Sequence, residues 1–401
     1  MSMKIRGVNL GNWFCLEKWI KPELLDGCDE LDELGFVTAM PEESRKRLEE
    51  HYRTYITEKD FSFMAEEGVN LLRIPVNYTV FGDVEGRVGH IEQLDLAFAW
   101  AEKYNMKILL DLHTVKGGQN GFDNSGCCAL CTWHKHPEYV EETYQLLEKL
   151  ARRYADSPAL FGIEPLNEPA TEDIIAANIG RYGSKYPERA AQSEAVPDEF
   201  LKEFYLEVYR RLKPILPEHV VIVLSDQFNL SKWENFMPKD QYPGVWLDGH
   251  KYICFSEGML EQGENGYAAV GEQIQSDAEL RMPGQDESGY ASAGAQVQTN
   301  AELKKYLELV KEGFLKDIQQ AAQFHPVMVG EWGIVNHMNS IQNAASEKEA
   351  ASYYRALADA QIAAWETCEG GVFWTYRLDN EEEDDAWDFR TCVKNGWLSY
   401  R

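Results

Sequence analysis

Short apolar runs alternate with longer amphipathic stretches along nearly the whole chain, and together they predict a strand–helix repeat. Eight runs read as buried strands: Ile5 to Leu10, Val69 to Pro75, Met106 to Leu112, Leu160 to Leu166, Val220 to Leu224, Val245 to Tyr252, Val327 to Gly330 and Val372 to Tyr376. Most are almost continuously apolar, as parallel strands covered on both faces require. Between them, apolar positions recur at helical spacing over Glu58 to Glu67, Ile91 to Tyr104, Glu138 to Tyr154, Asp198 to Leu212, Ala301 to Phe324 and Lys348 to Trp365. This alternation predicts an α/β fold, a (β/α)8 barrel; a doubly wound sheet is the alternative that the pattern leaves open.

Three stretches break the rhythm: Cys15 to Ser44, Thr171 to Pro197 and Gly258 to Thr299. Each follows a strand, so each reads as a long irregular loop on the C-terminal face of the barrel, where active sites are built. Loops of that length would turn an open groove into a walled pocket. The chain of 401 residues exceeds a typical barrel by about 150, and the loops absorb that excess within one domain spanning residues 1–401.

Composition narrows the chemistry. A formal charge of −28 and a pI near 4.7 argue against nucleic acid, whose binding needs clustered Lys and Arg. The acidic run Glu381-Glu382-Glu383-Asp384-Asp385 reads as a solvated loop. The 11 Trp and 20 Tyr supply flat faces of the kind that stack on sugar rings, although many must pack in the core. No stretch approaches the roughly 18 uncharged apolar residues of a membrane span. The N-terminus offers no secretion signal, so the eight cysteines are expected to be free thiols and the protein cytoplasmic, or secreted if a leader had been replaced by a new Met. Cys127, Cys128, Cys131, His134 and His136 lie at tolerable spacing for zinc, but adjacent cysteines point poorly at one ion, and no metal is expected.

The polar residues at the strand ends carry the functional reading. Glu168 closes the run Leu160 to Leu166 in the sequence Asn167-Glu168-Pro169, and Glu331 closes Val327 to Gly330 in Glu331-Trp332-Gly333. Two glutamates brought together at the mouth of a barrel are what glycosidic bond cleavage uses. Arg73 ends the second strand, His113 the third and Trp374 the eighth; His250 and Tyr252 share one face of the sixth by period-2 alternation. Singly each has a structural explanation as an ion pair or core residue. Seven such groups on six strands of one barrel are harder to assign to packing.

These residues resemble glycoside hydrolase family 5, retaining enzymes with a (β/α)8 fold, from Arg6 to Trp397. The shared pattern is Arg73, His113, Asn167-Glu168-Pro169, His250-Lys251-Tyr252, Glu331 and Trp374. Within the family the chain is similar to the fungal exo-β-1,3-glucanase branch through Arg6-Gly7-Val8-Asn9-Leu10-Gly11-Asn12-Trp13, Asp111-Leu112-His113 and Gln119-Asn120-Gly121-Phe122-Asp123-Asn124-Ser125-Gly126. The resemblance implies that Glu168 is the general acid/base and Glu331 the nucleophile, with no cofactor. It also implies that Asn167 meets the sugar 2-hydroxyl, that Arg73 and Tyr252 hold Glu331 ionised, and that His113 and His250 order the floor. Glu17 and Asp123 would grip the terminal glucose, Trp374 would stack beneath it, and Phe122 and Phe255 would clamp the next ring. Physically, Arg73 should lower the Glu331 pKa, while Glu168 facing a second carboxylate should keep its proton longer.

Two segments depart from that branch. The His113 loop runs Thr114-Val115-Lys116-Gly117-Gly118 where the branch usually has Gly-Ala-Pro-Gly, and Cys127-Cys128-Ala129-Leu130-Cys131 is foreign to it. The expected partner is a β-glucan oligosaccharide or β-glucoside, taken by a monomer or small homo-oligomer. An endo-acting β-glucanase or mannanase of the same family, and a binding protein without turnover, are the alternatives.

Overall fold

The structure, a computed structural model, describes residues 4–258 and 301–401. Eight parallel strands close into a barrel in sequence order: β1 (Ile5–Asn9), β2 (Leu71–Val76), β3 (Lys107–Leu112), β4 (Leu160–Glu164), β5 (Val221–Ser225), β6 (Val245–Lys251), β7 (Val327–Trp332) and β8 (Gly370–Phe373), with β8 pairing back onto β1. The chain is thus a (β/α)8 barrel. Each predicted strand is present, its ends displaced by a few residues.

The interior of the barrel changes character one step at a time along each strand. Ile5, Leu71, Leu109, Val221, Val223, Met328 and Val372 fill its lower part. Two residues further on, where the side chain returns to the same face, the chain places Arg73 after Leu71, Asp111 after Leu109 and Ser225 after Val223, all buried. The register then sets neighbours level: Asn9 beside Arg73, Asp111 beside Glu164, and His250 beside Glu331. A polar layer therefore lies directly on the apolar one, and it forms the floor of the site. The helices pack outside, where Leu94, Phe98, Leu147, Leu201, Phe204 and Leu357 belong to the main apolar core.

Two expected irregular loops carry helices instead. Within Thr171 to Pro197 lie Glu172–Tyr182 and Pro187–Ala190. Thr171 caps the first, its side chain accepting from the Ile174 amide, and Pro187 opens the second. Within Cys15 to Ser44 lie a 3-10 turn Pro22–Leu25 and the helix Glu33–Ala39, capped by Asp32, followed by Pro41–Thr54. The helix expected over Ala301 to Phe324 is interrupted by a π-helical turn at Leu309–Phe314. Of the loop expected over Gly258 to Thr299, all but Gly258 lies outside the described residues. Among the described residues no helix is long and apolar enough to cross a membrane.

Candidate active site

Arg73 is the organising cation of the barrel floor. It is fully buried, and one guanidinium meets several strands at once. Its Nε and Nη2 donate to both oxygens of Glu164 at 2.7 and 3.1 Å, Nη2 to Asn167 Oδ1 at 2.8 Å, and Nη1 to Asn9 Oδ1 at 3.1 Å and Glu331 Oε1 at 2.8 Å. The second oxygen of Glu331 accepts from the Tyr252 hydroxyl at 2.6 Å. Glu331 is thereby held by two donors, one per oxygen, from β2 and from the residue that follows β6.

Glu168 sits on the other side of the site. Its backbone φ is +44°, a left-handed conformation uncommon for a residue with a side chain and one that marks functional sites. Oε1 lies 2.8 Å from His250 Nδ1, and Oε2 accepts weakly from Asn124 Nδ2 at 3.4 Å. An oxygen of Glu168, an oxygen of Glu331 and a nitrogen of His250 lie within 4.8 Å of one another. An approach that close accords with the roughly 5 to 5.5 Å between the carboxyl groups of a retaining pair. His113 completes the floor: its Nδ1 is 2.6 Å from Asp111 Oδ2, its Nε2 is 3.4 Å from Asn167 Nδ2, and its ring stacks parallel to Trp374 at 5.8 Å.

The electrostatics differ from the expectation in sign. Burial pushes the Glu331 carboxyl up, and His250 and Arg73 offset this only in part, so it titrates above the usual carboxylate range. Burial acts on Glu168 too, but the hydrogen bond and charge of His250, with His113 and Arg73, outweigh it and hold Glu168 below that range. The expected order assumed Glu168 faced only a second carboxylate. The missing element is His250, which is itself pushed well above the usual imidazole range, burial being outweighed by the nearby charges of Glu331 and Asp248 and by its bond to Glu168. A hydrogen bond thus links Glu168 to a ring whose protonated form the surrounding carboxylates favour.

Five loops join into a wall around one end of the site. Asp32, between β1 and β2, accepts from the Cys128 amide after β3 at 2.7 Å and from Arg189 after β4 at 2.6 Å. Glu33 binds Asn77 and Arg87 after β2 at 2.9 and 2.6 Å. Asn178 Nδ2 donates to the Asn120 carbonyl at 2.8 Å, bracing the β3 loop against the β4 helix. The β8 loop closes onto the β1 loop through Asp379 N to Ile20 O at 2.9 Å and Lys21 to Asp379 at 2.8 Å. Glu17, buried, and Asp123, half-buried, stand in this wall. Glu17 Oε2 accepts from Trp19 Nε1 at 2.9 Å, Oε1 is unpartnered, and burial followed by the Asp123 charge pushes its pKa well up. Asp123 accepts weakly from Tyr182 at 3.5 Å.

Phe122 and Phe255 are on loops after β3 and β6 and share no ring contact; Phe255 is 69% exposed, its ring 5.4 Å from Tyr252 and 6.3 Å from Trp387. Sequence reasoning missed Glu164, Asp248, Asn9, Asn124, Trp19 and Trp387. The charged residues Glu164 and Asp248 inside apolar strand runs were the legible signal. The only grouping of potential metal ligands besides Glu168–His250–Glu331 among the described residues is Glu164, Asp248 and His250. Most oxygens of both are already engaged by Arg73, Tyr252, His250 and the Gly330 amide, so a cation would have to displace those bonds. Cys127, Cys128 and Cys131 form no ligand group with His134 and His136 there; they are buried, and burial pushes the Cys127 thiol up to about 11.

Residues 35–370 match the cellulase family, glycosyl hydrolase family 5. The chain is 31% identical over 404 residues to a probable glucan 1,3-beta-glucosidase A of Emericella nidulans, covering 99% of this chain and 90% of that one. It is 29% identical over 420 residues to a glucan 1,3-beta-glucosidase of Schwanniomyces occidentalis, covering 100% and 88%. Among solved structures, rutinosidase from Aspergillus niger superposes with a TM-score of 0.71 at 20% identity over 100% of this chain and 98% of that one, a likeness of fold.

Proposed function

We propose that this chain, which belongs to glycosyl hydrolase family 5, removes single glucose units from the non-reducing ends of β-1,3-glucan oligosaccharides or β-glucosides with retention of configuration. The observation that carries this reading is the closed end of the site. Loops after β8, β1, β2, β3 and β4 are tied to one another, and Glu17 and Asp123 stand in that wall beside the two glutamates. A site walled off at one end suits a chain terminus and not a chain interior. The relatives named glucan 1,3-beta-glucosidase, spanning nearly the whole chain, support the linkage.

In the proposed mechanism Glu331, oriented by Arg73 and Tyr252, attacks the anomeric carbon while Glu168 protonates the departing oxygen. The developing positive charge on the ring faces the ionised carboxylate at short range. Asn167 has its oxygen engaged by Arg73, which leaves Nδ2 to donate to the sugar 2-hydroxyl. Glu168, now anionic, takes a proton from water, which attacks the glycosyl ester and frees Glu331. Trp374, level with His113, offers its face to the sugar.

The expected result on a panel of laminari-, cello- and gentio-oligosaccharides is glucose and laminaritetraose as the first product pair from laminaripentaose, with the other linkages slower. Chains blocked at the non-reducing end should resist. Laminaribiose and laminaritriose as the first product pair, or cleavage of blocked chains, would show internal cutting and overturn the exo reading.

A further inference from the structure

Two buried polar atoms at the centre of the barrel have no hydrogen-bond partner and face each other: Oδ2 of Asp248 and Nε2 of His250, 3.5 Å apart. The other atom of each is engaged at the catalytic carboxyls. Asp248 Oδ1 accepts from the amide of Gly330, the residue before Glu331. His250 Nδ1 is bonded to Glu168 at 2.8 Å and lies 3.5 Å from Glu331 Oε2. The packing leaves no slack, since a Cβ on Gly330 would come within 1.7 Å of Asp248 Oδ2. One carboxylate that no role above uses thus touches the backbone carrying one catalytic glutamate and, through a single ring, reaches the other.

We propose that Asp248 is a positioning residue that holds His250 in its doubly protonated form, so that the Glu168–His250 pair keeps the one proton that leaving-group departure consumes. The proposal rests on the reading of Glu168 as the acid/base. The proton moves along the hydrogen bond from His250 Nδ1 to the Glu168 carboxylate, leaving a neutral ring whose Nε2–H faces Asp248, and the summed charge of the three groups is unchanged. Glu168 then gives it to the glycosidic oxygen as the C–O bond breaks, and regains one from the attacking water.

The surroundings of the ring decide the sign of the pH effect. Anions face it from four strands: Glu164 and Glu168 at β4, Asp226 at β5, Asp248 on β6 and Glu331 on β7. Asp226 is pushed up to about 7 by burial, so its charge is partial near neutrality. Arg73 from β2 and His113 after β3 oppose them at Glu168, and Lys251, whose amine pairs with Asp317, opposes Asp226. The net result is a ring that titrates well above the usual imidazole range. The pair loses its proton as pH rises through that raised value, which sets the alkaline limb of kcat/KM. Removing the Asp248 charge lowers that value and draws the limb to lower pH.

The test is the pH profile of Asp248→Asn on a phenyl β-glucoside, whose departure needs a proton, beside a 2,4-dinitrophenyl β-glucoside, whose departure does not. Melting curves report folding. The expected result is an alkaline limb lower by about 1 to 2 pH units, with roughly tenfold or greater loss on the phenyl substrate at pH 7, a smaller loss on the dinitrophenyl one and little change in KM. A folded variant with an unmoved alkaline limb would overturn the proposal. Where the variant does not fold, nitrogen NMR of histidine-labelled wild type decides: both His250 nitrogens protonated at pH 7 support it, and a neutral ring overturns it. A wrong assignment of Glu168 would look different, since Glu168→Ala would then impair both glucosides equally.

Discussion

Replacement of Glu331 by glutamine is expected to lower kcat on an aryl β-glucoside by roughly 10⁵-fold, comparable to the loss of a covalent nucleophile in other hydrolases. Glutamine keeps the shape and can still accept from Arg73, while Tyr252 need only rotate its hydroxyl. Arg73 retains Glu164 bidentate, with Asp111 at 3.1 Å, so the barrel floor stays paired and the fold is expected to hold. The amide, however, cannot form the glycosyl ester. Mass spectrometry after incubation with a 2-deoxy-2-fluoro glucoside should show one added glycosyl group on the wild type and none on the variant. Near-normal turnover by a folded Glu331→Gln would remove Glu331 from the chemistry.

Replacement of Glu168 by alanine should give a loss that depends on the leaving group. A departing alkoxide needs its proton, and general acid catalysis is worth about 10²- to 10⁴-fold, so laminaribiose turnover should fall by that range. A dinitrophenolate leaves unaided, so its first step should be nearly unchanged while the second step, which needs a base for water, becomes slow. Azide, a nucleophile that requires no base, should then restore turnover and yield the β-glucosyl azide. The same loss on both substrates, with no rescue, would make Glu168 structural.

Much of this site was legible because the strands announce themselves. Apolar runs such as Leu71-Leu72 before Arg73 and Val327-Met328-Val329 before Glu331 end where the inward face turns polar, and the closed barrel brings those ends together. What the pattern could not supply was register. Asp111 stands level with Glu164, and His250 with Glu331, and only that alignment shows how many carboxylates crowd one guanidinium. The expected pKa order of Glu168 and Glu331 reversed for this reason: the ring that reverses it, His250, was assigned to the floor without its distance to either glutamate.

The loops were harder to read than the barrel. Thr171 before Glu172-Asp173 and Asp32 before Glu33 are helix-start signals, but the stretches behind them were too polar or too short to show helical periodicity. Tertiary bonds from Asp32 to Cys128 and Arg189 hold what periodicity does not. The unusual Cys127-Cys128-Ala129-Leu130-Cys131 segment is part of that arrangement: Cys128 presents its amide to Asp32, and Arg189 donates to the same oxygen. Its departure from the glucanase branch thus bears on the wall formed by these loops.

The account stands most directly on the configuration and size of the first products from laminaripentaose, followed by proton NMR before mutarotation. Glucose appearing first as the β anomer, beside laminaritetraose, is the predicted result. The α anomer would contradict the double displacement assigned to Glu331 and Glu168, whose oxygens lie within 4.8 Å.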